Sequence, residues 1–130
     1  MKQLIAITAI FFAFSFTTKA QSVYYSTRAY SGNWNAYSQQ YSWGSPNYSD
    51  IRFTIQGNMV MVGNRASDNF DCGTQYINRY DSDGSHVYGW YAVDKDGVNC
   101  TFKIIRNTDG SQWFQVLYSN FAFSYYIPAN

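Results

Sequence analysis

From Ile51 onward, apolar and polar residues alternate with the period of a β-strand. Ile51, Phe53 and Ile55 point one way while Arg52 and Thr54 point the other, as a strand with one solvated face requires. Gln56-Gly57-Asn58 turns the chain into Met59–Val62, which gives the first clear hairpin. The polar stretch Asn64–Gly73 reads as a loop. Further strands are predicted over Thr74–Tyr80, His86–Val93, Val98–Arg106 and Gln112–Tyr118, and after the tight Ser119-Asn120 link over Phe121–Ile127. In Val98–Arg106, Cys100, Phe102 and Ile104 share one face while Thr101 and Lys103 take the other. Before Ile51 the periodicity is poor, with Val23–Arg28 and Trp34–Tyr41 fitting edge strands. Short links force sequential antiparallel neighbours. The expected fold is therefore an all-β antiparallel meander of about seven to eight strands, forming a small barrel (slightly favoured) or a two-layer sandwich.

Three links share one pattern: Asp81-Ser82-Asp83-Gly84, Asp94-Lys95-Asp96-Gly97 and Asn107-Thr108-Asp109-Gly110. Asp or Asn opens a type I turn, and a Gly in the left-handed region then forms a bulge. A calcium loop of the EF-hand type needs three oxygen ligands before its Gly and a Glu at the twelfth position. Here the Gly comes too early and the chain contains no Glu. These sites read as turns, and no metal or other cofactor is expected.

Residues 1–20 read as a secretory signal peptide. Lys2 supplies the positive start, Leu4–Phe16 the apolar run, and Thr18-Lys19-Ala20 the small residues at the cleavage site. The apolar run falls short of the roughly 20 residues of a spanning helix. Residues 21–130 are then one small domain, secreted or periplasmic/extracellular, with no membrane insertion after cleavage. Composition agrees with an all-β domain. Past residue 20, Leu117 is the single Leu, while 13 Tyr and 4 Trp suit a pleated, half-buried surface.

Without Lys2 and Lys19, seven basic residues face eight Asp, for a formal charge of −1. The arginines are scattered, so nucleic acid is not expected as a partner. Cys72 and Cys100 are the only cysteines. In an exported domain they are expected to form one disulfide, stabilising the fold by roughly 3–4 kcal/mol on the loop-entropy model.

Catalytic constellations are thin, and no enzyme is expected. His86, the only histidine, could act as a base oriented by Asp81 or Asp83, but no nucleophile elbow accompanies it. All the Asp residues except Asp50 fall in predicted loops or turns, where nothing raises a carboxyl's pKa. Phosphate-cradling glycine motifs are absent.

Aromatic residues carry the remaining signal. Alternation assigns Phe53, Tyr76, Trp90, Phe102, Trp113 and Phe123 to the core. The excess lies in the amino-terminal third, beside Ser, Asn and Gln. There, rings offer flat apolar area and amides offer hydrogen bonds, the combination that sugars require. The expected ligand-binding residues are Tyr30, Trp34, Tyr37, Tyr41 and Trp43. The structural alternative has Trp34 and Trp43 plugging one end of the sheet.

Gly32-Asn33-Trp34 resembles the G-x-W that opens the barrel of lipocalins and avidins. The resemblance implies a ligand cavity inside a barrel. It covers three residues, and no Arg follows Arg106 to cap the Trp, so no family is assigned on it.

Together these features describe a small secreted binding protein whose partner is a glycan, carbohydrate or surface protein. The alternatives are a secreted structural or protein-interaction module (matrix component, inhibitor or adhesin subunit) and a barrel holding a small apolar ligand.

Overall fold

Ten strands run antiparallel in one sheet, seen in a computed structural model that describes residues 21–48, 50–63 and 69–130. They are β1 (Gln21–Ser26), β2 (Arg28–Asn35), β3 (Gln40–Trp43), β4 (Ile51–Gln56), β5 (Met59–Val62), β6 (Asn69–Tyr80), β7 (His86–Asp94), β8 (Asn99–Arg106), β9 (Gln112–Leu117) and β10 (Phe121–Ile127). The described residues contain no helix. The expected signal peptide lies outside them.

The order across the sheet is β1-β4-β5-β6-β7-β8-β9-β10-β2-β3. From β4 to β10 it is the expected meander. β1 and β2, however, are separated by Thr27 alone and yet stand near opposite ends of the ladder. The sheet must therefore curl until its ends approach. At the seam the Thr27 N–H donates to the Tyr126 carbonyl at 3.0 Å. The chain leaves β4 at Ser26 and joins β10 at Arg28, so the ladder is interrupted at that point. The result is one curled, open sheet, which corrects both the closed barrel and the two-layer sandwich.

The strand count exceeds the expectation because the amino-terminal third is more regular than its periodicity suggests. The segment expected as one strand, Trp34–Tyr41, is a hairpin. Asn35 Oδ1 accepts from the N–H groups of Tyr37 (3.0 Å) and Ser38 (3.2 Å), turning the chain, and Gln39 takes a positive φ of 57°. The expected loop Asn64–Gly73 falls partly outside the described residues, and from Asn69 it is already strand.

Curling gives the sheet an inner and an outer face. Phe53, Val60, Phe102, Ile104, Phe114, Val116 and Ile127 fill the inner one. Phe114 of β9 is the hub: its ring meets Phe53 of β4 at 5.2 Å, Tyr24 of β1 at 5.1 Å and Phe102 of β8 at 5.8 Å. Phe53 also meets Tyr125 of β10 at 4.9 Å. These contacts tie the first strands of the ladder to those near its far end, as edge-to-face rings at such spacings favour. Rings pack the centre of the inner face, and hollows remain beside them: about 120 Å³ lined in part by Val60, Cys72, Trp90 and Phe102, and about 260 Å³ lined in part by Val62, Phe70, Phe123 and Tyr125.

Three of the residues assigned to the core lie elsewhere. β6 carries two register shifts, between Cys72 and Gln75 and between Gln75 and Ile77. The first flips the parity, so Tyr76 turns outward, stacks on Tyr91 at 4.1 Å and pairs its hydroxyl with Thr101 Oγ1 at 2.7 Å. Phe123 shares the inner face with Tyr125 but remains exposed near the sheet's open end. Trp113 is on the outer face, because Phe114 and Val116 take the inner positions of β9.

The expected disulfide is absent: Cys72 and Cys100 are buried free thiols. Cys72 pairs with Ala92, and Ala92 in turn pairs with Cys100, so a whole strand stands between them. Two inter-strand steps amount to roughly 9.6 Å, beyond the roughly 7 Å that a disulfide bridges. Burial pushes Cys72 up to about 12, helped by Cys100 and Asp71, and burial with Asp94 pushes Cys100 up to about 11. Both thiols are therefore inert.

The three Gly turns have the expected geometry. Gly84, Gly97 and Gly110 have φ of 89°, 80° and 91°, and each donates its N–H to the carbonyl of the residue opening its turn, at 3.0–3.1 Å. The carboxylates serve the same turns: Asp83 Oδ1 accepts from the Ser85 N–H at 2.9 Å and Asp109 Oδ1 from the Ser111 N–H at 2.8 Å.

Phe114→Ala should lower the free energy of unfolding by about 3–5 kcal/mol, read from the denaturant midpoint, because it removes the ring that three strands share. Thiol titration should find two groups after unfolding without reductant and none in the native protein. A reducing agent should leave the melting temperature unchanged.

Candidate functional site

On the outer face, antiparallel register aligns side chains from five strands in rows. One row runs Lys103–Gln115–Ser124–Tyr30 across β8, β9, β10 and β2. The row beside it runs Ile105–Trp113–Tyr126–Arg28. On the other side come Ala122, Gly32 and Trp43, the last from β3. Ala122 and Gly32 are small, so this row is a trough. The Trp43 indole occupies it: a Cβ placed on Gly32 would stand 2.8 Å from the Trp43 ring. The glycine of Gly32-Asn33-Trp34 thus makes room for a neighbouring aromatic ring.

These rows enclose an open groove of about 390 Å³, lined by Tyr30, Trp43, Ile105, Trp113, Gln115 and Ser124. Rings form its flanks and polar groups its floor. Gln115 Nε2 donates to the buried Ser124 Oγ at 3.2 Å, which holds the floor amide in place. Tyr30 and Trp113 lie 5.7 Å apart, and Trp113 meets Tyr126 edge-on at 5.0 Å. On the other side Trp34, Tyr41 and Trp43 continue the aromatic band, with centroids 5.1 Å and 5.9 Å apart. The Tyr41 hydroxyl donates to the Tyr118 carbonyl and anchors the β2–β3 hairpin to the β9–β10 turn.

Of the five residues expected to bind ligand, Tyr30 and Trp43 line the groove. Tyr41 packs against Trp43, and Trp34 packs against Tyr41. Tyr37 is at the wholly exposed tip of the β2–β3 turn, away from the groove. Trp34 and Trp43 are 38% and 40% exposed and do not plug the sheet. Trp113, Gln115 and Ser124 were not foreseen. A signal for Trp113 was present: β9 places large rings at consecutive positions, Trp113 and Phe114, which a strand must send to opposite faces.

Elsewhere, side chains with possible chemistry are committed to structure. His86 lies between Tyr80 (4.1 Å) and Tyr88 (4.0 Å). Its Nε2 donates to Asn78 Oδ1 at 2.6 Å, leaving Nδ1 to accept from the Tyr88 hydroxyl at 3.0 Å. Asp81 and Asp83 instead serve Arg79 and Ser85. Hydrogen bonds hold three turn carboxyls below the usual carboxylate range: from the Ser85 backbone for Asp83, the Val98 backbone for Asp94 and the Ser111 side chain for Asp109. Such ionised groups cannot serve as general acids near neutrality. Among the described residues no cluster of three or more His, Cys, Asp or Glu is placed to hold a metal ion.

Comparison with protein-family models, curated proteins and solved structures finds no match to this chain.

Gly32→Ala should displace the Trp43 indole, the nearest obstacle to the new methyl group. The expected result is a changed tryptophan emission spectrum, with the strand content by circular dichroism retained.

Proposed function

We propose that this is a secreted, non-catalytic protein that binds carbohydrate in the outer-face groove. The observation that carries the reading is the combination of Tyr30, Trp43 and Trp113 rings around the Gln115–Ser124 floor. A pyranose presents C–H faces that stack on such rings, while its hydroxyls bond to amide and hydroxyl groups. The framework under the rings is rigid sheet, so little order would be lost on binding.

A second reading, a structural or protein-interaction module, draws on one feature. β3 is an edge strand of uncharged residues, Gln40–Trp43, whose outer side pairs with no other described strand. Such an edge suits addition of a partner's strand.

Tryptophan emission during titration with a panel of soluble polysaccharides separates the two. Carbohydrate binding requires a saturable shift with some glycan class. Trp43→Ala and Trp113→Ala should each weaken that binding roughly tenfold or more, with the melting temperature changing by only a few degrees. Loss of folding in both variants would make the rings structural and remove the support for the site. Silence across the panel would favour the edge-strand reading.

A further inference from the structure

The surroundings of the groove bear on which carbohydrate it takes, granted the reading above. Lys103 lies two residues from Ile105 on β8 and directly across from Gln115 of the floor. Arg28 lies two residues before Tyr30 on β2; its Nη1 donates to the Tyr30 hydroxyl at 3.4 Å, and its guanidinium spreads over Tyr126, 4.2 Å from the ring centroid. Two cations therefore flank the aromatic groove on opposite sides.

Neither cation has an ion-pair partner among the described residues, where the single ion pair is Arg79–Asp81 at 3.0 Å. The carboxylates of Asp83, Asp94 and Asp109 are bound into turns. Lys103 is half-buried, and its ammonium is held below the usual lysine range by burial and by Arg79, with Asp81 opposing. Lys103's one nearby carboxylate, Asp81, is already paired with Arg79, so an arriving anion relieves part of the cost of keeping this half-buried cation.

We propose that the groove takes an acidic polysaccharide: the sugar ring stacks on the aromatic flanks while its carboxylate or sulfate engages Lys103 or Arg28. The guanidinium fork matches the geometry of such oxyanions, and the ammonium supplies a point charge. At a solvent-accessible site each ion pair alone is weak, so charge and stacking must act together.

Matched polymers test this on the unaltered protein. Polygalacturonate is compared with methyl-esterified pectin, and dextran sulfate with dextran, by tryptophan emission and affinity gels. One acidic polymer should bind at least tenfold more tightly than its neutral counterpart, and added salt should weaken the binding. Which acidic polymer binds distinguishes carboxylate from sulfate. The double variant Lys103→Gln/Arg28→Gln should weaken binding roughly tenfold, and at least one of the single variants severalfold, while melting shows a folded protein. Equal binding of the neutral partners would overturn the proposal and leave the carbohydrate reading standing. Acidic-polymer binding that survives both Trp43→Ala and Trp113→Ala would also overturn it, since charge attraction elsewhere would suffice. Binding of no polymer would remove both readings.

Discussion

The contact between Phe53 and Phe114 decides the shape of this molecule. β4 and β9 are far apart in the ladder, yet their rings meet edge-on at 5.2 Å, with Tyr24, Phe102 and Tyr125 gathered around them. A flat sheet cannot bring those strands together. Burying the rings therefore demands curvature, and the right-handed twist of strands allows it. Once the sheet curls, the centre of its inner face is buried and its outer face turns toward solvent.

The outer face differs in character from one end of the ladder to the other. Around β6 and β7 it carries the Tyr76–Tyr91 stack, turned outward by a register shift. Around β2, β3, β9 and β10, the small residue Gly32 lets the Trp43 indole lie down against the sheet, and the groove opens between Trp43, Tyr30 and Trp113. The missing side chain at Gly32 thus seats one of the rings that flank the groove. Its polar floor is a consequence of pairing, since register alone sets Gln115, Ser124 and Tyr30 in one row.

Much of the meander was legible in the sequence, and for clear reasons. Met59–Val62 and Phe121–Ile127 are bounded by links that admit few conformations, and the three Gly turns are fixed by local backbone chemistry. Long-range features were not legible. The bulges of β6 reverse the facing of Tyr76 without any change of composition, and nothing local says which of Trp113 and Phe114 faces inward. Cysteine counting suggested a disulfide, but the intervening strand of Ala92 depends on pairings that no spacing rule contains. A third of the candidate site, Tyr30 and Trp43, followed from an aromatic excess without an inside face. The remainder, Ile105, Trp113, Gln115 and Ser124, came from strands whose partners were not known until the sheet was assembled.

The seam at Thr27 ties the order of synthesis to the order of folding. The segment from Gln21 to Asn35 is made before β4 to β9, yet its second half pairs with β10, which is made after them. β3 has only β2 to pair with, through a short turn, and the hairpin they form docks onto the sheet only when β10 arrives. The nascent chain can pair β1 with β4, close the β2–β3 hairpin and form its β4–β9 hairpins first, while the edge of β2 that faces β10 waits unpaired. Contacts spanning nearly the whole chain come late and slow the final step, because the loop they close is long. During that interval the segment is open to pairing with another copy of itself. Its sparse charge leaves little to discourage such pairing.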